Sequence, residues 1–251
     1  MITWLDGLLV LGGAAAGFVN TVAGGGSALT LPLLMMTGLD ASQANGTNRI
    51  GVVLQSLTST ITFHNKGLRP WREVGSVLLA SMLGSVAGAL LATVLPPLAL
   101  ERLFGIVFLA LAVAMIARPR WLAPELPADA VARRPGLAGQ LAFFGVGFYG
   151  GLFQAGVGIP LVLVTVHFLR IDLVRSTAFK VGLVLLYSLG AFAIFLWQGE
   201  LAWRAGLIIA AGGMVGSTLG ARMALKGGAV FIRWMVALAL FGTAGHTLGI
   251  W

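Results

Sequence analysis

Long apolar segments make up most of this chain, and glycine, proline and charged residues separate them. A helix needs about 20 apolar residues to cross a bilayer. With these separators as boundaries, the first half predicts helices at Leu5–Val22, Ala28–Thr37, Ser42–Phe63, Trp71–Leu95 and Glu101–Ala117. The second half predicts helices at Leu137–Phe153, Ile159–Leu169, Leu173–Trp197, Leu201–Leu225 and Val230–Leu248. The second helix of each half is too short to span a membrane unaided.

The composition indicates an integral membrane protein. Of the 251 residues, 58% are hydrophobic and 10% are charged, whereas soluble domains carry about 25% charged residues. The net charge of +8 fits the excess of Lys and Arg in cytoplasmic loops of membrane proteins. We therefore expect the lipid bilayer, and no nucleic acid, as the partner of this surface.

The two halves of the chain resemble each other at a constant offset. Gly24 matches Gly156 and Asp40 matches Asp172, each 132 residues further on. The run GSVAGALLA at Gly84–Ala92 likewise matches GSTLGARMA in the second half. We predict a duplication, with repeats at 1–117 and 137–251 and a cytoplasmic linker at 118–136.

Positive loops set the two copies in opposite orientations. The loop after the third helix is positive in the first half, at 64–72, and neutral in the second, at 199–204. The loop after the fourth helix reverses this pattern. Since Lys and Arg mark the cytoplasmic side, the predicted fold is an all-α integral membrane protein of two inverted repeats. Each repeat is a Gly-broken helical hairpin, either re-entrant or crossing twice, followed by three transmembrane helices.

Glycines interrupt the apolar run where each first helix should continue. Gly24, Gly25 and Gly26 form the first break, and Gly156 and Gly158 form the second. Glycine costs a helix about 1 kcal/mol relative to alanine. Transporters with inverted repeats bind substrate at such broken helices near the midplane, and free N–H groups at helix ends attract anions. We predict that both breaks contact a small anionic substrate.

Two cations lie inside predicted spanning helices. Arg49 and Lys180 are flanked by apolar sequence, and an ionisable group at such a position suggests function. Together they would clamp an anion; the alternative is that their side chains snorkel to the interface. All eight acidic residues fall at helix ends or in loops, which favours an anionic over a cationic substrate.

Uncharged polar residues cluster near the breaks and would bind an anion through hydrogen bonds. The alternative is hydrogen bonding between helices, which Ser, Thr and Asn make generally in membranes. These candidates are Asn20, Thr21, Ser27, Asn45, Thr47, Asn48, Gln154 and Thr177.

Other polar residues have weaker functional signals. Asp40 and Asp172 each precede a helix and fit N-caps, and the paired GSxxG runs suit close helix packing. His167 lies in the short second-half helix and is the candidate for proton coupling. The chain has no cysteine and three separated histidines, so we predict no metal site and no cofactor.

These motifs resemble a known family. The run AGFVNTVAGGGSALTLPLLMMTGLDASQANGTNRIG, at Ala16–Gly51, is similar to the first signature of the sulfite exporter TauE/SafE family, the 4-toluene sulfonate uptake permease group. The run GFYGGLFQAGVGIPLVLV, at Gly147–Val164, is similar to the second. The resemblance implies a multi-pass protein of the bacterial inner membrane that transports sulfite, sulfonates or related organic anions.

The leading hypothesis is a secondary transporter of a small anion that works by alternating access. An anion channel is the alternative, since glycine-rich breaks and paired cations would also suit a pore. An intramembrane enzyme is disfavoured because no nucleophile–base pair is evident, and a sensor or scaffold subunit because no soluble domain is evident. The sequence leaves open the substrate, the coupling ion and whether the protein is a homodimer.

Overall fold

The structure is a computed structural model that describes residues 4–69, 74–96, 98–99, 102–103, 106, 131–199 and 201–247. The described residues are helical with short connections, which confirms the all-α prediction. The helices of the first half are α1 (Trp4–Val22), α2 (Ser27–Met35), α3 (Ala41–Asn65) and α4 (Leu78–Val94). Those of the second half are α5 (Leu137–Leu152), α6 (Gly158–Val164), α7 (Leu173–Gln198) and α8 (Trp203–Thr247).

The helix boundaries agree with the predicted ones except at the start of α4. α4 begins at Leu78 because Val77 has a φ of −126°, outside the helical range. α6 continues into a π-helical turn, Thr165–Leu169, and the two together cover the predicted helix. The break predicted between the last two helices lies at Gly228 within α8, where φ is 61°. The predicted helix at 101–117 and the linker at 118–136 lie largely outside the described residues.

Each broken pair of helices folds as a hairpin. Gly12 of α1 contacts the side chain of Leu33, near the end of α2. Gly139, at the start of α5, likewise faces the ring of Phe168 at the end of the π-helical turn. Both short helices therefore run back along the long helix that precedes them.

Within the described part of the chain, three helices have the length and the apolar composition to cross a membrane. They are Trp4–Val22, Leu173–Gln198 and the Trp203–Ile232 part of α8. α3 has 25 residues but is less apolar, since buried Asn, Thr, Gln, Ser and Arg side chains interrupt its sequence. Those side chains face other helices, so the polarity of α3 lies in the protein interior.

Close packing at small residues joins the two halves. α1 packs on α8, where a Cβ atom added at Gly216 would overlap the Ala14 carbonyl. α4 packs on α5, where a Cβ atom added at Gly84 or Gly88 would overlap backbone at Phe144 or Phe148. Small residues let backbones approach this closely in membranes, so the packing role predicted for the GSxxG runs is confirmed.

We expect Gly88→Ala to destabilise the protein by about 1–3 kcal/mol, because its methyl group would push α4 away from α5. Gly145→Ala is the matched control, since no atom lies within 4 Å of the position of its added Cβ. That change should stabilise helix α5 by about 0.4–1 kcal/mol. Thermal unfolding in detergent measures both, and equal melting temperatures for the two variants would refute the close-packing account.

α3 and α7 form the centre of the structure and contact each other. Among the largest fully buried side chains are Phe63 and Arg49 of α3 and Phe179, Lys180 and Tyr187 of α7. The two ionisable side chains predicted inside the membrane therefore enter the interior from the two central helices.

Candidate functional site

The two glycine breaks touch each other at the centre of the protein. The N–H of Gly158 donates to the carbonyl oxygen of Gly24 at 3.1 Å. A Cβ atom on either residue would overlap the backbone of the other. Gly24 has a φ of +91° and Gly156, its partner in the duplication, a φ of +70°, a region that glycine adopts without steric cost. Glycine is thus required here both for chain reversal and for close approach.

A small polar cavity lies beside this contact. It is formed by the C-terminal end of α1, both breaks, α3 and α7. Among the described residues, its lining combines one ammonium, three side-chain amides, three hydroxyls and three valines, with no carboxylate. The lining residues are Asn20, Thr21, Gly24, Gln55, Ser56, Ser59, Gln154, Val157, Gly158, Lys180, Val181 and Val184.

Lys180 is the charged residue of this lining. Its side chain is 1% exposed, and Nζ donates to the carbonyl oxygens of Asn20 at 3.0 Å and Thr21 at 2.7 Å. These carbonyls belong to the last turn of α1, where the helix dipole is negative and favours a cation. An ammonium has three donors, so two are used by α1 and one remains for the cavity.

Arg49 is buried and surrounded by acceptors from the other half. Nη1 donates to the carbonyl of Gly150 at 2.6 Å and to Oε1 of Gln154 at 2.9 Å. Nη2 donates to the carbonyl of Gly151 at 2.5 Å and to Oδ1 of Asn45 at 3.4 Å. With an exposure of 0%, Arg49 does not snorkel. It does not line the cavity either, and its contact with an anion stays a prediction.

The end of α5 receives further support from α3. Nδ2 of Asn45 donates to the carbonyl of Leu152 at 2.8 Å. The Arg49 guanidinium lies 5.4 Å from the centre of the Phe195 ring, a cation–π distance. Three successive carbonyls that α5 leaves unpaired at its end are thus bound by α3.

The two cations are placed reciprocally. Arg49, on α3 of the first half, binds the end of α5 in the second half. Lys180, on α7 of the second half, binds the end of α1 in the first half. Each broken helix is therefore stabilised at its C-terminal end by a cation from the other half.

Gln154 connects Arg49 with the cavity. It lies in the second break, has a φ of +62° and lines the cavity. A positive φ is uncommon for a residue other than glycine, and such conformations persist where surrounding contacts hold them. The hydrogen bond from Arg49 is one of those contacts.

Six of the predicted site residues line the cavity: Asn20, Thr21, Gly24, Gln154, Gly158 and Lys180. Several of the others hydrogen-bond elsewhere in the protein. Thr30 donates to Asn48 at 2.6 Å, Thr47 accepts from the N–H of Ala202, and the N–H of Gly26 donates to Asn20. The residues outside the lining are Gly25, Gly26, Ser27, Asn45, Thr47, Asn48, Arg49, Gly156 and Thr177. Their substrate contacts stay predictions.

His167 lies away from the cavity. It is exposed on the π-helical turn, with its ring centre 4.8 Å from that of Phe168. Its proton-coupling role stays a prediction. The described part of the chain holds no group of three His, Asp or Glu residues that would bind a metal ion.

Sequence reasoning missed the contribution of α3 to the lining. Gln55, Ser56 and Ser59 follow the spacing i, i+1, i+4, which places them on one face of a helix. Three polar residues on one face of a spanning segment were a signal available in the sequence. The valines of the lining carry no comparable signal, since valine is common throughout an apolar helix.

Asp40 and Asp172 are helix caps, as predicted. Oδ1 of Asp40 accepts from the N–H of Gln43 at 2.8 Å, and the Gln43 side chain accepts from the N–H of Asp40. Asp172 accepts from the N–H groups of Val174 and Arg175. These are capping interactions at the starts of α3 and α7.

We expect Asp40→Ala to lower the stability by about 1 kcal/mol, the usual cost of losing an N-cap side chain. Asp40→Asn should keep the stability, because asparagine caps a helix equally well. Neither variant should alter anion uptake. A loss of uptake in Asp40→Asn would show instead that the carboxylate itself takes part in transport.

An all-helical protein with apolar spanning helices around a buried polar cavity has the construction of an integral membrane transporter. The family model described as Sulfite exporter TauE/SafE matches residues 9–247. This chain belongs to that family, which confirms the resemblance seen in its motifs.

Relatives of similar length carry transporter names. The chain is 30% identical to "Probable membrane transporter protein" of Haemophilus influenzae over 91% of this chain and 89% of the relative. It is 29% identical to "Probable membrane transporter protein ORF9" of Sinorhizobium sp, over 94% and 92%. It is 28% identical to "Probable membrane transporter protein YfcA" of Escherichia coli K12, over 93% and 86%. No solved structure matches the chain significantly. These names confirm that the protein is a membrane transporter rather than an enzyme.

Proposed function

We propose that this protein is a secondary transporter of a small anion of the sulfite or sulfonate type, spanning the bacterial inner membrane several times. The observation that carries the proposal is Lys180, a buried ammonium beside a polar cavity that no carboxylate of the described residues lines. A buried charge is costly unless it is paired. Backbone carbonyls satisfy two of its donors, and an anion would supply the missing opposite charge.

The rest of the lining suits an anion. The amides of Asn20, Gln55 and Gln154 and the hydroxyl of Ser56 provide donors without negative charge. The family description supports sulfite, and the valines of the lining would contact the organic part of a sulfonate.

Transport would proceed by alternating access between two inverted repeats, 1–117 and 137–251. Features at matching positions support this arrangement. Gly24 and Gly156 share a positive φ, and Asp40 and Asp172 both cap helices. The reciprocal packing of α1 on α8 and α5 on α4 and the reciprocal cations fit two related halves. Rocking of one half against the other would expose the cavity to alternate sides.

A binding screen on the detergent-purified protein tests the substrate class. A ligand that binds only the folded state stabilises it by mass action and so raises the melting temperature. At a ligand concentration of one hundred times Kd, the stabilisation is about 2.7 kcal/mol. We expect sodium sulfite or sodium methanesulfonate to give a saturable rise. Methylammonium chloride at equal ionic strength is the matched cation control and should give none. No saturable rise with either anion would contradict the proposal.

A further inference from the structure

Arg49 does not line the cavity, although its side chain is fully buried and bonds to a residue of the lining. Its guanidinium is occupied by two carbonyls of α5, by Asn45 and by Gln154. Of these partners, Gln154 lines the cavity. Arg49 would therefore affect a bound anion through the Gln154 side chain.

The hydrogen bond from Arg49 fixes whether the oxygen or the NH2 group of the Gln154 amide is free to bind another group. An amide side chain has an oxygen that accepts and an NH2 group that donates. Nη1 of Arg49 lies 2.9 Å from Oε1 of Gln154, and a guanidinium only donates. The oxygen is thus held by Arg49, and the NH2 group remains for another partner.

We propose that Arg49 is a positioning residue that fixes the Gln154 amide so that its NH2 group serves the anion in the cavity. This inference rests on the proposed function. Without the guanidinium, the amide is free to turn and present its oxygen, which repels an anion. Arg49 would therefore set the preference for anions through Gln154, while Lys180 contacts the anion itself.

The Gln154→Glu variant keeps the acceptor of the side chain and removes its donor. The carboxylate keeps an acceptor for Arg49, so the support of α5 is retained, but the NH2 donor is lost and a negative charge is added beside the cavity. Both changes weaken anion binding, so the half-saturating concentration of methanesulfonate or sulfite in the thermal-shift titration should rise at least about tenfold. Tenfold is about the factor expected from one lost hydrogen bond to a charged group. An unchanged half-saturating concentration in a folded Gln154→Glu protein would overturn the inference.

A double-mutant cycle distinguishes positioning from direct contact. Arg49→Lys keeps the charge but loses the planar fork of donors. In the wild-type background it should raise the half-saturating concentration about tenfold. In the Gln154→Ala background it should change that concentration by no more than about twofold, within the usual error of additivity. The same variants in proteoliposomes should raise KM for radiolabelled sulfite more than they lower the maximal rate.

Each outcome of the cycle has a distinct meaning. Equal effects of Arg49→Lys in both backgrounds would overturn the inference, because Arg49 would then act without Gln154. A lower melting temperature with unchanged anion affinity would also overturn it and leave Arg49 a purely structural cap. Failure of both anions to bind the wild-type protein would instead contradict the proposed function on which the inference rests.

Discussion

Lys180→Met is expected to weaken anion binding about 100-fold while the protein still folds. Methionine keeps the length and apolar stem of lysine but removes the ammonium that lies beside the cavity. Loss of a charge-assisted hydrogen bond costs up to about 3 kcal/mol, which corresponds to about 100-fold weaker binding. Thermal-shift titration with methanesulfonate and uptake of radiolabelled sulfite both measure this loss.

Folding should survive with a lower melting temperature, because methionine leaves the Asn20 and Thr21 carbonyls without their donor, at a cost of about 1–3 kcal/mol. Lys226→Met is the matched control. Lys226 is exposed on α8, so its substitution removes the same charge from the protein but not from the cavity. Binding that persists in Lys180→Met, or falls equally in Lys226→Met, would show that Lys180 has no direct role.

Gly24→Ala is expected to destabilise the protein by about 2–5 kcal/mol and to disrupt the cavity. An L-residue at a left-handed φ, such as the +91° of Gly24, costs about 1–2 kcal/mol. Its methyl group would also overlap the backbone of Gly158, and such overpacking costs about 1–3 kcal/mol. Thermal unfolding should show the loss of stability, and anion titration should show weaker binding.

Gly25→Ala, at the next residue, is the matched control for stability. The nearest atom to its added Cβ is Cγ1 of Val19 at 4.0 Å, an ordinary contact distance. Its melting temperature should stay close to that of the wild type. If Gly24→Ala and Gly25→Ala unfold at the same temperature, the contact between the two breaks does not stabilise the fold.

Much of the fold was predictable because its signals are local. Apolar segments bounded by glycine and charge located α1, α2 and α3 to within two residues. Asp40 and Asp172 marked helix starts through a capping chemistry that depends only on neighbouring residues. The break between the last two helices was also predicted, since the glycines before Val230 mark it, and it lies at Gly228. The late start of α4 at Leu78 was missed.

The site was only partly predictable because its contacts join distant parts of the chain. The sequence pointed to Arg49 and Lys180 as a symmetric pair, yet Lys180 lines the cavity and Arg49 does not. The difference depends on which carbonyls and side chains each cation meets across 101 or more residues. Such separations carry no local signal, and for the same reason Thr47 gave no sign that it binds the backbone of Ala202.

Counterflow in proteoliposomes tests the central claim, anion transport by alternating access, most directly. Vesicles loaded with unlabelled methanesulfonate are diluted into a trace of the radiolabelled anion, with Lys180→Met vesicles as the control. A carrier exchanges the two pools, so the label should rise transiently above its equilibrium level whatever the coupling ion, and Lys180→Met should show no such rise. Label that enters the wild-type vesicles only up to equilibrium would indicate a channel, and no entry of methanesulfonate or sulfite would contradict the proposed substrate class.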